Sequence, residues 1–324
     1  MNWRQIQKTN ITKLEELINY LNLDPLNRAR LIKKPKFPLN LPLRLATKIE
    51  KNNLNDPLLK QFIALDVENI EHPQFHQDPV EDQSFQITPR LLKKYTSRAL
   101  MLPTSACVMH CRYCFRKNYP YELAPSKFEA EIAAIKKDNS LREIILSGGD
   151  PLSLSDQKLE SLLLQLNEID HLKIIRFHTR FPIGIPERIS PELISTLSKL
   201  KKKIVFIFHI NHPNEIDDDI KLALQRLSPY QLLNQSVLLK DVNDSLPTLQ
   251  ELSYKLNDSN ILPYYLHQLD RVQGTAHFEV TPQRGLQLIE QMRESMPGYL
   301  VPKYVQEIPQ KKCKTPIAEN LVKG

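Results

Sequence analysis

Cysteine is scarce in this chain. Its 324 residues include four, of which Cys107, Cys111 and Cys114 fall inside the stretch "CVMHCRYCFRKNYPY", while Cys313 stands apart. Long apolar runs are missing too. No segment approaches the roughly 18 consecutive apolar residues of a membrane span, and the N-terminus "MNWRQIQKTNITKLEELINYL" has no apolar h-region of the secretory type. These absences argue against a disulfide framework and against a helical membrane protein. They imply a cytoplasmic chain whose clustered thiols serve metal binding or catalysis. A dense basic tract is also lacking. The net charge is +7, but the densest runs, "KKPK" at 33–36 and "KKK" at 201–203, are short. A solvated basic surface explains them, and nucleic acid is not an expected partner. What the chain does have is length with 41% apolar residues, enough to bury a sizeable core.

Periodicity divides the chain near residue 95. The region 1–94 carries two short amphipathic patterns, "ITKLEELINYL" and "DPLLKQFIAL", around a proline-rich segment "KKPKFPLNLPLRLA" that cannot be one helix, and no chemistry is visible there. In 95–324 apolar runs alternate with helical patterns. Strands are expected at 98–104, 142–149, 172–179, 202–211, 235–240 and 261–268, each followed by a helix. Ser155 is placed to cap one of these helices, and Pro191 follows Ser190 at the start of another. Six such units imply an α/β fold with a parallel sheet covered by helices, curved into a partial barrel. Ligands of such folds gather at the C-terminal strand ends. The cysteines follow the first strand, "SGGDP" ends the second, "HTR" the third, "HINHPN" the fourth and "HQLD" the sixth.

A structural zinc site usually takes four ligands in two pairs, and no second pair accompanies the CxxxCxxC spacing; His110 is the one candidate fourth ligand. Three cysteines so spaced fit a [4Fe-4S] cluster with one iron left open to bind a small molecule, since fully ligated clusters take four.

Through Cys107, Cys111, Cys114 and the neighbouring Tyr113, the sequence resembles the radical S-adenosylmethionine (SAM) superfamily. The resemblance implies that SAM binds the open iron and is cleaved to a radical that takes hydrogen from substrate. Ser147, Gly148, Gly149 and Asp150 resemble the glycine-rich turn that meets the SAM amino group; glycines at a strand end let backbone approach a ligand closely. Within the superfamily, "CRYCFRK", "ILSGGDPL", "HINHPNEI", "LLNQSVLLKDVND", "LPYYLHQLD" and "KTP", in this order from about residue 90, resemble the lysine 2,3-aminomutases. The similarity is greatest to the short bacterial branch that makes (R)-β-lysine for elongation factor P. Two departures from the longer enzymes are Lys240-Asp241, where Arg-Gly is common, and an end ten residues after Lys314.

The resemblance implies three cofactors: the [4Fe-4S] cluster, SAM and pyridoxal 5'-phosphate (PLP). By it, Lys314 in "KKCKTP" forms the PLP Schiff base, whereas composition alone would read a basic surface tail. It also places Arg116 on the substrate carboxylate and Asp270 and Glu307 on a distal ammonium, with Glu307 standing where aspartate is usual. Tyr95 and Arg98 are candidate PLP partners. His209, Asn211, His212 and Gln235 are candidates to line the SAM or PLP pocket, although buried structural polar residues would look the same. The implied partners are free L-lysine, an electron donor for the cluster, and elongation factor P with its lysine ligase. A radical SAM enzyme that modifies RNA and a non-catalytic zinc-binding module are the alternatives.

Overall fold

Apolar residues at every second position build the wall of this fold. On the strand Ile174–Thr179, Ile175 and Phe177 are buried among helices, which leaves Arg176 and His178 on the opposite face. The computed structural model describes residues 1–121 and 128–318. Its strands are β1 (Gln86–Thr88), β2 (Leu91–Tyr95), β3 (Arg98–Thr104), β4 (Glu143–Gly148), β5 (Ile174–Thr179), β6 (Lys203–Phe208), β7 (Gln231–Val237), β8 (Leu262–His267), β9 (Lys303–Gln306) and β10 (Thr315–Pro316). They form one sheet in chain order. Strands β3 to β9 run parallel, and antiparallel pairs flank them at both edges.

A parallel sheet whose order never reverses has crossovers that all step the same way, so its helices cover one face and the other becomes the inside of a partial barrel. The crossover helices are Glu129–Lys137, Asp156–Asn167, Pro191–Ser198, Asp218–Gln225, Leu246–Asp258 and Pro282–Ser295. The expected (β/α)6 barrel is therefore the observed fold. Ser155 caps its helix by accepting from the Lys158 amide at 3.2 Å, and Ser190 accepts from Leu193 with Pro191 in the first turn.

The fifth expected strand lies four residues earlier than its apolar run suggests, at Gln231–Val237. Side chains take over the backbone beyond it: Asn211 accepts from the Val237 amide and Asn243 from that of Leu239, so the chain leaves the ladder. In the N-terminal region Leu14–Leu21 is a helix, but "DPLLKQFIAL" supplies only the short 3-10 turn Leu59–Gln61. Asp56 accepts from the Leu58 and Leu59 amides, and the chain then opens so that Leu65 bridges to Leu31. Leu17, Leu21, Leu45 and Leu58 share one hydrophobic cluster with Ile144, Phe177 and Phe206 of the barrel wall. No helix among the described residues is long and apolar enough to cross a membrane.

The last crossover helix lies directly on β9, because a Cβ on Gly285 would overlap the Tyr304 ring and hydroxyl, and that hydroxyl donates to Gln268. Gly285→Ala is expected to cost about 1–3 kcal/mol as overpacking. Chemical denaturation reads this as a lower midpoint; an unchanged midpoint would mean that the helix can retreat.

Candidate active site

The cysteine loop that follows β3 is held from two sides. From the N-terminal region, the side-chain amides of Asn10 and Asn40 donate to the carbonyls of Val108 and Cys107 at 2.7 and 3.2 Å. The Phe37 carbonyl accepts from Arg112, whose guanidinium also pairs with buried Glu68. His110 stacks on Phe37 and bonds through Nδ1 to the Pro38 carbonyl at 2.9 Å, which turns it toward that segment. From the barrel, Gly149 donates to the Thr104 carbonyl and Asp150 to that of Ala106, both at 2.9 Å. A Cβ on Gly149 would lie 2.5 Å from the Ala106 oxygen, so only glycine permits this approach, and Gly148 takes a positive φ of 99°.

The three thiols lie within one another's electrostatic reach. Burial, then the Asp150 charge and the neighbouring sulfurs, pushes Cys107 well above the ordinary thiol range, and burial with Cys111 pushes Cys114 up to about 11. Among the described residues no three His, Cys, Asp or Glu side chains converge closely enough to hold a single ion.

Beneath the loop lies a polar network that sequence reasoning did not find. Arg180, at the end of β5, donates to Cys111 Sγ at 2.8 Å, Tyr113 Oη at 2.6 Å, Gln61 at 2.7 Å and Glu215 at 2.8 Å. Tyr113 Oη also accepts from Asn211 at 2.7 Å and lies 2.9 Å from His209 Nε2. Burial opposes the charge on Arg180, but Cys111 and Glu215 raise its pKa. The Asp150 carboxylate plays a similar part, accepting from Leu152, Thr179, Arg180 and Phe181 at 2.7–3.0 Å and so tying β4 to β5. His212 caps a turn by accepting from the Asn214 amide. Asn211 and His212 are thus engaged in structural bonds, a role their positions in the sequence did not distinguish from pocket lining.

Charged side chains collect on the inner face of the sheet. Arg116 pairs with Asp82 through Nε at 2.7 Å and through a terminal nitrogen at 3.3 Å, while its other terminal nitrogen is 3.5 Å from Ser147 Oγ. Glu307, just past β9, accepts from Lys94, from Tyr95 Oη at 3.1 Å and from Lys314 Nζ at 3.1 Å. Burial raises the Glu307 pKa, but Lys314 and Lys94 outweigh it and hold the carboxyl below its usual range. Asp270 is different. Its side chain has no hydrogen-bond or ion-pair partner among the described residues, and burial pushes its carboxyl up to about 7, with Lys314 and Arg116 opposing and Glu307 and Asp82 adding to the rise. Arg98 stacks on the Tyr95 ring at 4.0 Å. Gln235 sits on β7 beside Tyr265 of β8, which feels the charges of Arg98 and Arg176. Residues missed here are Lys94, Arg176, His178 and His267; the polar Arg176 and His178, two apart within the apolar run "LKIIRFHT", were the available signal.

Comparison with known proteins decides the family. Residues 101–226 match the Radical SAM superfamily. An L-lysine 2,3-aminomutase of Haemophilus influenzae is 40% identical, over 98% of this chain and 96% of that protein, and one of Escherichia coli is 41% identical, over 95% and 92%. One from Clostridium subterminale is 34% identical over 99% of this chain and 78% of its own length. The chain belongs to the L-lysine 2,3-aminomutase family. As a member it is a radical SAM isomerase whose cofactors are a [4Fe-4S] cluster, SAM and PLP. The residues present fit that set: three half-buried cysteines at the strand end suit the cluster, and Lys314 with Arg98 and Tyr95 offers an amine, a cation and a ring for an anionic aromatic cofactor.

Arg180→Met in this aminomutase family member leaves Glu215 buried without its counter-charge. The expected loss is about 3–5 kcal/mol in chemical denaturation. Full stability of the variant would show that Glu215 finds another donor.

Proposed function

We propose that this chain moves the α-amino group of free L-lysine to the β-carbon. The observation that carries this reading is that Arg116, oriented by Asp82, lies within electrostatic reach of an acid, Asp270, that has no hydrogen-bond or ion-pair partner of its own among the described residues. A site so charged complements a molecule with a carboxylate at one end and an ammonium at the other. A lysine within a protein has no free carboxylate for Arg116, so the free amino acid is the substrate. When bound, the cluster and SAM supply the radical that removes hydrogen, and PLP supplies the imine across which nitrogen migrates.

In this reading Cys107, Cys111 and Cys114 hold the cluster. Ser147, Gly148 and Gly149 present the backbone edge that meets SAM, Asp150 fixes that turn, and Gln235 lines the inner face. Lys314 carries PLP, with Arg98 and Tyr95 beside it. Glu307 neutralises Lys314 in the free chain. Glu307 also lies within electrostatic reach of Asp270 and would stand beside it as a second acid for the substrate ammonium. We further infer the R product, an external electron donor, a reducing cytoplasmic setting and delivery by a separate ligase to elongation factor P. The resemblance to the short bacterial branch supports these points, and chiral chromatography of the product tests the first.

Cys114→Ala is expected to abolish SAM cleavage and visible iron–sulfur absorption while PLP stays attached, and Lys314→Ala to lose the PLP imine while keeping the iron. Identical spectral losses in the two variants would refute the separate assignments.

Asp270 also predicts a pH effect. Below about pH 7 its carboxyl is protonated and offers an ammonium little; the preference for lysine over norleucine, which lacks the distal amine, should rise as pH approaches 7 and level off above it. Asp270→Asn should flatten that profile and reduce kcat/KM for lysine by the equivalent of about 2–5 kcal/mol. Equal proportional losses for lysine and norleucine would make Asp270 a structural residue.

A further inference from the structure

His178 carries a ring nitrogen without a partner. Nε2 is shielded from solvent and makes no hydrogen bond. A buried polar atom left in this state is costly, and such atoms are completed in native proteins by ligand or water. His178 lies on the inner face of β5, level with Ile207 of β6. On the other side Phe177 pairs with Leu146 of β4, so Ser147 stands level with His178, and Ser147 is the residue toward which Arg116 directs the terminal nitrogen that Asp82 does not hold.

The surroundings limit what the missing partner is. Arg176 lies one step back on the same face, bound to Glu143 by two hydrogen bonds at 2.9 and 2.5 Å. Burial, together with Arg176, Lys314, Arg116 and His209, keeps the imidazole well below its ordinary pKa and hence neutral. Arg176, Lys314 and Arg116 are each paired with an acid, but the charges acting on this ring are positive; they disfavour a further cation and favour an anionic oxygen, to which a neutral imidazole donates its N–H. Of the anionic groups the site takes, the amino-acid carboxylate belongs at the level of Arg116 and Ser147, whereas a phosphate would lie toward Arg98.

We propose that His178 Nε2–H donates a hydrogen bond to the substrate carboxylate gripped by Arg116. His178 is then a second carboxylate-binding residue. This rests on the assignment of Arg116 given above.

Calorimetric titration of the anaerobic holoenzyme, without SAM, tests it with three probes: L-lysine, norleucine and 1,5-diaminopentane, the last having both amines but no carboxylate. His178→Phe should weaken lysine and norleucine by about ten- to a hundredfold, the range for a hydrogen bond to a charged group, and leave the diamine within about twofold of wild type. His178→Gln, which keeps a donor, should recover part of the loss. His178→Ala gives the same readout if the Phe ring is not accommodated. Unchanged lysine affinity, an equal loss for the diamine, or loss of bound PLP would each overturn the proposal. A wild type that binds lysine no better than the diamine would instead overturn the carboxylate reading of Arg116, which is a distinguishable failure.

Discussion

The Arg180 guanidinium is the interaction on which the site depends. It is buried and charged, and its two terminal nitrogens find four partners from three separate parts of the chain: Gln61 from the N-terminal region, Cys111 and Tyr113 from the cysteine loop, and Glu215 from the turn after β6. Losing the guanidinium would leave the Glu215 carboxylate buried without its counter-charge. The cost of such a state, more than any apolar contact, fixes the loop against the strand ends. Asp150 complements it with the opposite charge, since its carboxylate accepts the Arg180 amide as well as the Thr179 hydroxyl.

Opposite charges on the inner face are distributed in a way that separates two acids of similar appearance. Glu307 and Asp270 both face Lys314 electrostatically, but one is saturated by Lys94, Tyr95 and Lys314, and the other has no partner among the described residues. A paired acid stabilises the resting chain, and an unpaired one favours whatever cation arrives. In the proposed reading, selectivity for a diamino acid follows from where lysines are missing as much as from where acids are present.

The parallel wall was legible because buried strands write themselves as apolar runs: β3 coincides with its expected bounds, and β4, β5, β6 and β8 lie within theirs. The cysteine loop was legible because its spacing is local. By contrast, β9 and β10 are four and two residues long, too short to show a period. The N-terminal clamp was invisible for another reason. It acts partly through the backbone carbonyls of Phe37, Pro38 and Asn40, which every residue type carries, so no side chain announces it. Arg180 and Glu215 looked like any charged residues at strand ends until the fold buried them together.

The clamp also sets an order of events during synthesis. Residues 37–40 and Gln61 leave the ribosome ahead of the thiols, whereas Arg180 and Glu215 follow long after them. A nascent chain that has just released Cys114 therefore has one jaw of the cysteine loop's support and not the other. Three unpaired thiols stay open to stray metals and oxidants until the third and fourth parallel strands are complete. Iron delivery is thus best timed after most of the barrel exists, so that maturation of the cluster becomes a late step of folding and not its nucleus.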